Sequence, residues 1–461
     1  MLKQQFIRSV SGGQSASVKS NIYGTLTNNT NVAQTVTYIV SPATTSCISN
    51  APFTLFVTLQ PIADIRQMTV VTCSGAPFSI TPTDGINGIV PQGTLYRWST
   101  PGFTASITGG ASASGQTNIN GLLRNTSNIQ QTATYYVIPT SVNCNDNNGF
   151  TVTVTVNPTA EITTMSTVVC SDVQFVISPT NILNGIVPDG TKYSWNTPII
   201  TASLTGGTSG SLENFISGKL RNISSVVQTA TYSITPKSDA CVGNNFTLIV
   251  TVNPTGTFDP MTAVTCSGTP FQVTPTDGIN GVIPADTKYS WAIPSVNANI
   301  TGGQSGTLQT SVYGLLTNSS NTTQTVTYTV YPNIANCGSA PSFTLTVTIH
   351  PTAEISVIAI SACSGVFFNV SPTNGVNGIV PQGTLYRWSV PSVTGTVTGG
   401  QSNSLQNSIF GTLSNRTNQV QTAVYSVIPT SVNCGDDAPF TVIVTLNPTP
   451  EVSAMSTVTC S

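Results

Sequence analysis

Charge is what this chain of 461 residues has least of. Only 6% of its residues are charged and the formal net charge is −2, against roughly 25% charged residues in an average soluble protein. Its 13 Lys and Arg residues form no basic stripe, so the electrostatic footprint that phosphate requires is missing and nucleic acid is not an expected partner. Histidine occurs once, as His350. A lone histidine builds neither a metal site nor a nucleophile–base pair. Serine and threonine abound, but none has a plausible base, so no enzymatic activity is expected. No apolar run approaches the roughly 18 residues of a membrane helix, and no segment has a helical period. The opening residues Met1 to Phe6 carry charge but no apolar stretch, which excludes a signal peptide there.

What is present repeats. The ten cysteines are Cys47, Cys73, Cys144, Cys170, Cys241, Cys266, Cys337, Cys363, Cys434 and Cys460. Their gaps alternate between 71 and 26 residues (once 25), so a unit of 97 residues (once 96) recurs. Trp98, Trp195, Trp291 and Trp388 keep the same interval, as do Tyr38, Tyr135, Tyr232, Tyr328 and Tyr425. A period of this kind governs the fold reading before any local propensity does. It divides the chain into a partial domain at 1–60, complete domains at 61–157, 158–253, 254–350 and 351–447, and the start of a further one at 448–461. Met1 falls at the tryptophan position of the unit, so the chain reads as a window on a longer protein, with any export signal outside it.

Within 61–157, Val70–Cys73, Phe78–Pro82, Tyr96–Trp98, Ala105–Thr108, Ile119–Leu123, Thr132–Ile138 and Phe150–Val156 alternate or concentrate β-branched and aromatic residues. Period-two patterning of this kind marks half-buried strands, and about seven of them between Gly/Asn/Pro turns predict a β-sandwich. The fold class is therefore all-β, a tandem array of immunoglobulin-like sandwiches. Each unit closes on a proline step, as at Asn157-Pro158 and His350-Pro351. Proline ends a ladder and holds the residue before it extended, so the units are expected end to end, in a rod approaching roughly 200 Å at the rise of a β-strand.

Two cysteine pairings fit the spacing, one inside a unit and one across its boundary. If Cys73 opens the first strand and Cys144 precedes the last, both lie at one end of the sandwich. A bridge of 26 residues would instead have to span a whole strand, roughly 27 Å, whereas bonded cysteines lie within about 7 Å at Cα. The expected bridges are thus Cys73–Cys144, Cys170–Cys241, Cys266–Cys337 and Cys363–Cys434, with Cys47 and Cys460 unpaired. Stable bridges place the chain in an oxidising, extracytoplasmic setting.

Weaker signals reduce to structure. The Gly-Gly pairs at Gly12, Gly109, Gly206, Gly302 and Gly399 follow a strand, but neither helix nor lysine comes after them, so a hairpin turn is expected rather than a phosphate cradle. Calcium would draw on Asp146, Asp436, Asp437, Glu161, Glu354 and Glu451. These acids are sparse and differ between units, whereas calcium wants six to eight oxygens, so no cofactor is expected. Trp98, Trp195, Trp291 and Trp388 sit mid-strand on an alternating face beside Tyr96, Tyr193, Tyr289 and Tyr386. That placement favours core over a sugar-stacking platform. Tyr135, Tyr232, Tyr328 and Tyr425 are core candidates as well. Sequons at Asn125, Asn222, Asn318 and Asn415 are the chance yield of an Asn/Thr-rich chain.

Cys-Ser-Gly-x-Pro-Phe (Cys266 to Phe271), Pro-Thr-Asp-Gly-Ile-Asn-Gly (Pro275 to Gly281), Tyr-x-Trp (Tyr289 to Trp291), Gln-Thr-x-Thr-Tyr (Gln324 to Tyr328) and Phe-Thr-Val-Thr-Val-Thr-Val-Asn-Pro (Phe150 to Pro158) recur together with Thr-Gly-Gly. The set resembles the PKD-like repeats of giant bacterial surface adhesins, closest in type to SprB-like gliding adhesins exported by the type 9 secretion system. Trp98 is followed by Ser99-Thr100-Pro101-Gly102 where the PKD signature has a Phe-Gly-Asp-Gly turn. The resemblance implies an exported cell-surface array that meets solid surfaces or polysaccharide and is handled by secretion and motility machinery. The expected function is a structural stalk of an extracellular adhesin with weak, multivalent binding. Two alternatives are a filament or sheath built from copies of the chain through open sheet edges, and a carbohydrate-binding accessory array of a secreted hydrolase.

Overall fold

A computed structural model describes the chain except residues 1–2, 5–8, 45, 47–50, 145–147, 451, 453 and 460–461. Among the described residues there is no helix; every regular element is a strand. In 61–157 the larger sheet runs Ala113–Gln116, Leu95–Trp98, Gln131–Thr140, Phe150–Asn157, Met68–Cys73, with Gly102–Phe103 also on the long strand. Facing it, Ile107–Gly109, Ile119–Asn125 and Pro77–Ile80 form a three-stranded sheet. The same two sheets recur in the next three units. Residues before 61 carry the corresponding later strands, with Gln34–Val40 on Phe53–Leu59 and Val10–Gly12 on Leu26–Asn28.

Alternation decides which face goes inside. Phe150–Asn157 buries every second residue, and Val152, Val154 and Val156 have no exposed surface. Their threonine neighbours face outward, where a β-branched hydroxyl suits a half-wet pleat. Between the sheets Tyr135 meets Phe78 edge-on at 5.5 Å and Trp98 at 6.3 Å. Aromatic pairs in this geometry add roughly 1 kcal/mol each beyond the area they bury. Each core closes on itself: among the described residues no apolar cluster draws on two of the complete units.

Four short strand segments of this unit were not legible. Asp64–Ile65 pairs with Gly88–Ile89 in a short ribbon outside both sheets. It exists because Gly88, at φ +124°, lets the chain pass where a Cβ would lie 2.1 Å from Asp64 O. Ala113–Gln116 and Gly102–Phe103 are too polar or too short to announce themselves. The Gly-Gly pairs are turns, but not hairpins. Gly109 and Gly110, both at positive φ, carry the chain from the small sheet to the edge of the large one. The crossover places Ala111 O 3.0 Å from the indole Nε1 of Trp98.

Candidate functional site: the stapled junction between repeats

The junction is set by the direction of the first strand. Met68–Cys73 runs parallel to the last strand, with Cys73 opposite Asn157. Cys73 therefore ends its strand and lies at the pole that faces the next unit. The backbone locks it there: Ser74 N donates to Asn157 O at 2.9 Å and Gly75 N to Leu123 O at 2.9 Å. Ser74 Oγ donates to Asn125 O at 3.1 Å and accepts from Asn125 N at 2.9 Å. The loop cysteines come just before the last strand, hence at the opposite pole. Cys241 sits in a two-residue strand paired to the end of Gln228–Ser238.

This arrangement overturns the expected pairing. Cys73 bonds Cys241, Cys170 bonds Cys337 and Cys266 bonds Cys434, at Cα separations of 5.6, 5.7 and 5.8 Å. Every bridge crosses a boundary, from the first strand of one unit to the loop before the last strand of the next. Cys73 closes its strand rather than opening it, contrary to the expectation. With the strands parallel, Cys73 and Cys144 are a strand length apart, roughly 20 Å at six residues. Cys144, half-buried, and Cys363, exposed, are free. The pattern's offset from either falls outside the 461 residues. Cys47 and Cys460 lie outside the described residues.

Beside each staple is a buried asparagine. Asn125 is 1% exposed. Its Nδ2 donates to Ile129 O at 2.7 Å and to Val156 O at 3.0 Å, and its Oδ1 accepts from the amide and hydroxyl of Ser127 at 2.9 and 2.8 Å. Asn28, Asn222, Asn318 and Asn415 make the same four contacts. The Asn-x-Ser/Thr triplets are thus not chance. The third residue caps the turn, and Nδ2, committed to two carbonyls inside the protein, is not presented for glycosylation.

Polar contacts across the boundary are few, and most of them are exposed. Thr159 Oγ1 donates to Ser74 O at 3.2 Å, Arg124 meets Glu161 at 2.6 Å and Ser225 Oγ meets Asp277 at 2.7 Å. Amide and hydroxyl donors, led by the Ile283 amide, hold Asp277 below the usual carboxylate range. Glu161, Asp436 and Asp437, three of the acids considered for calcium, have protein partners. Asp436 pairs with Arg387 at 2.5 Å and accepts from Thr430, which lower its pKa. Asp437 accepts from Ala353 N at 2.9 Å and from the hydroxyl of Ser431. Asp146 and Glu451 lie outside the described residues. Among the described residues no three acids, cysteines or histidines gather as a metal site would require.

The aromatics expected in the core are interior. Trp98, Trp195, Trp291 and Trp388 are 5, 6, 3 and 5% exposed, and Tyr96 is 2%, so these rings form no open platform for sugar stacking. Tyr135, Tyr232, Tyr328 and Tyr425 are fully buried, and each hydroxyl lacks a hydrogen-bond partner. Burial without a compensating donor pushes their pKa up to about 12. The Tyr135 hydroxyl fits where Gly121 leaves room, 2.9 Å from the point a Cβ would occupy.

Five stretches match the PKD-like domain: residues 8–63, 70–160, 167–256, 263–353 and 360–450. The chain belongs to the PKD-like domain family. Its repeats share the immunoglobulin-like sandwich, and tandem PKD-like repeats joined by disulfides are typical of extracellular proteins. Among curated proteins none matches the chain. Of solved structures, it is similar to the I-band fragment I67–I69 of titin (9% identity, 63% of this chain and 97% of that one, TM-score 0.26). It is also similar to immunoglobulin domains 1–5 of Sidekick-1 (10%, 97% and 93%, 0.22) and to cadherin domains 1–4 of protocadherin gamma B7 (10%, 77% and 91%, 0.23). Likenesses of this size carry no further argument. No described helix is long and apolar enough to cross a membrane.

Proposed function

We propose that this chain is a structural segment of an extracellular adhesin, a stalk of PKD-like repeats that holds a binding surface away from a cell and adds weak contacts of its own. The observation that carries the reading is the run of three inter-repeat disulfides. They form and persist only outside a reducing compartment, and they join modules rather than build a pocket. Weak contact with polysaccharide is supported by a hollow of about 590 Å³ beside Trp195, lined by Ser194, Thr231, Ser233, Thr235 and Thr247. Such a site gains strength only by repetition along the array. Gliding motility and export by the type 9 system belong to the same proposal, resting on the adhesin resemblance alone. No reaction is assigned to the chain.

Antibodies raised against the 461-residue chain should label intact, unpermeabilised producer cells, and soluble chain added in excess should reduce their attachment to polysaccharide-coated glass. Labelling that appears only after permeabilisation would overturn the surface assignment. Attachment unchanged at saturating soluble chain would overturn the adhesive one.

A further inference from the structure

The three staples interlock. Cys170 lies within the loop that Cys73–Cys241 closes, and Cys337 within the loop of Cys266–Cys434. The shortest covalent route along the array starts at Cys73 and crosses directly to Cys241. It follows the last strand Phe246–Asn253 through the linker into the first strand Met261–Cys266, and then crosses to Cys434. Residues 74–240 and 267–433 hang off this route as side loops. They hold most of all four complete units.

We propose that this route is a tension strap, and that while the disulfides are intact the four complete repeats cannot be unfolded lengthwise. A pulling force passes along bonds, and it takes the route that becomes taut first. Here that route is almost taut in the native fold. The 25 residues from Cys241 to Cys266 reach at most about 90 Å. Strands of 8 and 6 residues within that stretch are already extended. Both strands run from one pole of a unit to the other, because Met261–Cys266 lies parallel to Leu345–His350. The linker and loop can therefore yield no more than about 40 Å for each passage. A free 97-residue module would release roughly 300 Å beyond its folded length. The difference turns a chain of modest sandwiches into an inextensible tether whose strength is that of its sulfur bonds and backbone. The inference goes beyond the surface reading and holds wherever the chain is displayed.

The test is single-molecule stretching of the full chain held at its two termini. Oxidised wild type should show early extension of the first 60 or so residues and then stiffen to rupture with no module-sized step. The same chain in excess reductant, with every native side chain in place, should release up to four steps of roughly 300 Å. Cys266→Ser opens one staple and should restore no more than two such steps. Steps of roughly 300 Å from the oxidised chain, or an oxidised Cys266→Ser chain as stiff as wild type, would overturn the strap. Module-sized steps in the reduced chain would leave the array of independent repeats standing whatever the oxidised chain does.

Discussion

The interior of a repeat and the junction between repeats are held by different physics. Inside 158–253, Tyr232, Leu248, Val250 and Val252 are fully buried and pack with Trp195 in one closed cluster. At the boundary with 254–350 the contacts named above are a covalent bridge and a hydroxyl–carboxylate pair. Apolar burial therefore makes each module, and sulfur joins it to the next. One consequence is that substitutions inside a module should stay local, whereas loss of a cysteine alters how modules share load. In the chain-entropy account one staple enclosing 168 residues restrains the unfolded chain by about 5 kcal/mol, shared between the modules it closes.

The largest effect should come from the buried asparagine, where interior meets junction. Asn222→Asp sets a carboxylate oxygen against the carbonyls of Val226 and Val252, so the module should lose about 3 kcal/mol or more, read as an early transition in denaturant unfolding. If Asn222→Asp melts like wild type, the plug is not structural. Alkali should act next. Eight core tyrosines, Tyr96, Tyr135, Tyr193, Tyr232, Tyr289, Tyr328, Tyr386 and Tyr425, are raised by burial to about 12. Below pH 10 both folded and unfolded states keep the phenol proton and stability does not depend on it. Between pH 10 and 12 only the unfolded state ionises, so stability must fall as pH rises. Melting temperatures across that window check the sign, and a flat profile contradicts it.

Smaller effects sharpen the contrast. Glu161→Gln removes the exposed pair with Arg124 across a boundary and should cost under about 1 kcal/mol. A larger loss in thermal unfolding would mean the junction is cohesive without its staple. Tyr232→Phe should be the mildest, within about 0.5 kcal/mol of wild type or slightly stabilising, because the hydroxyl it deletes has no partner to lose. A clear destabilisation by calorimetry would show that the hydroxyl is satisfied in solution.

Much of the interior was legible because its signals are local and periodic. The alternation of Phe150 to Val156, the mid-strand tryptophans and the 97-residue interval each report burial or repetition directly. The junction was not, because its geometry depends on strand direction, which alternation does not encode. Cys73 reads the same whether its strand runs with or against Phe150–Asn157, yet the direction decides which pole the sulfur reaches. Asn125 was misread for a related reason. The triplet recurs once per unit, each time directly after a Leu followed by Arg, Thr or Ser, and that fixed register rather than the triplet itself is what marks a plug. The crossover at Gly109-Gly110 hid because a turn between sheets uses the same residues as a turn within one.

The account rests on which sulfurs are joined. Blocking free thiols, digesting the unreduced chain and sequencing the linked peptides by mass spectrometry decides this directly. The Cys73 peptide should emerge bound to the Cys241 peptide, with Cys170 on Cys337 and Cys266 on Cys434. Recovery of Cys73 on Cys144 would return the bridges to the inside of each repeat and remove both the stapled junction and the strap.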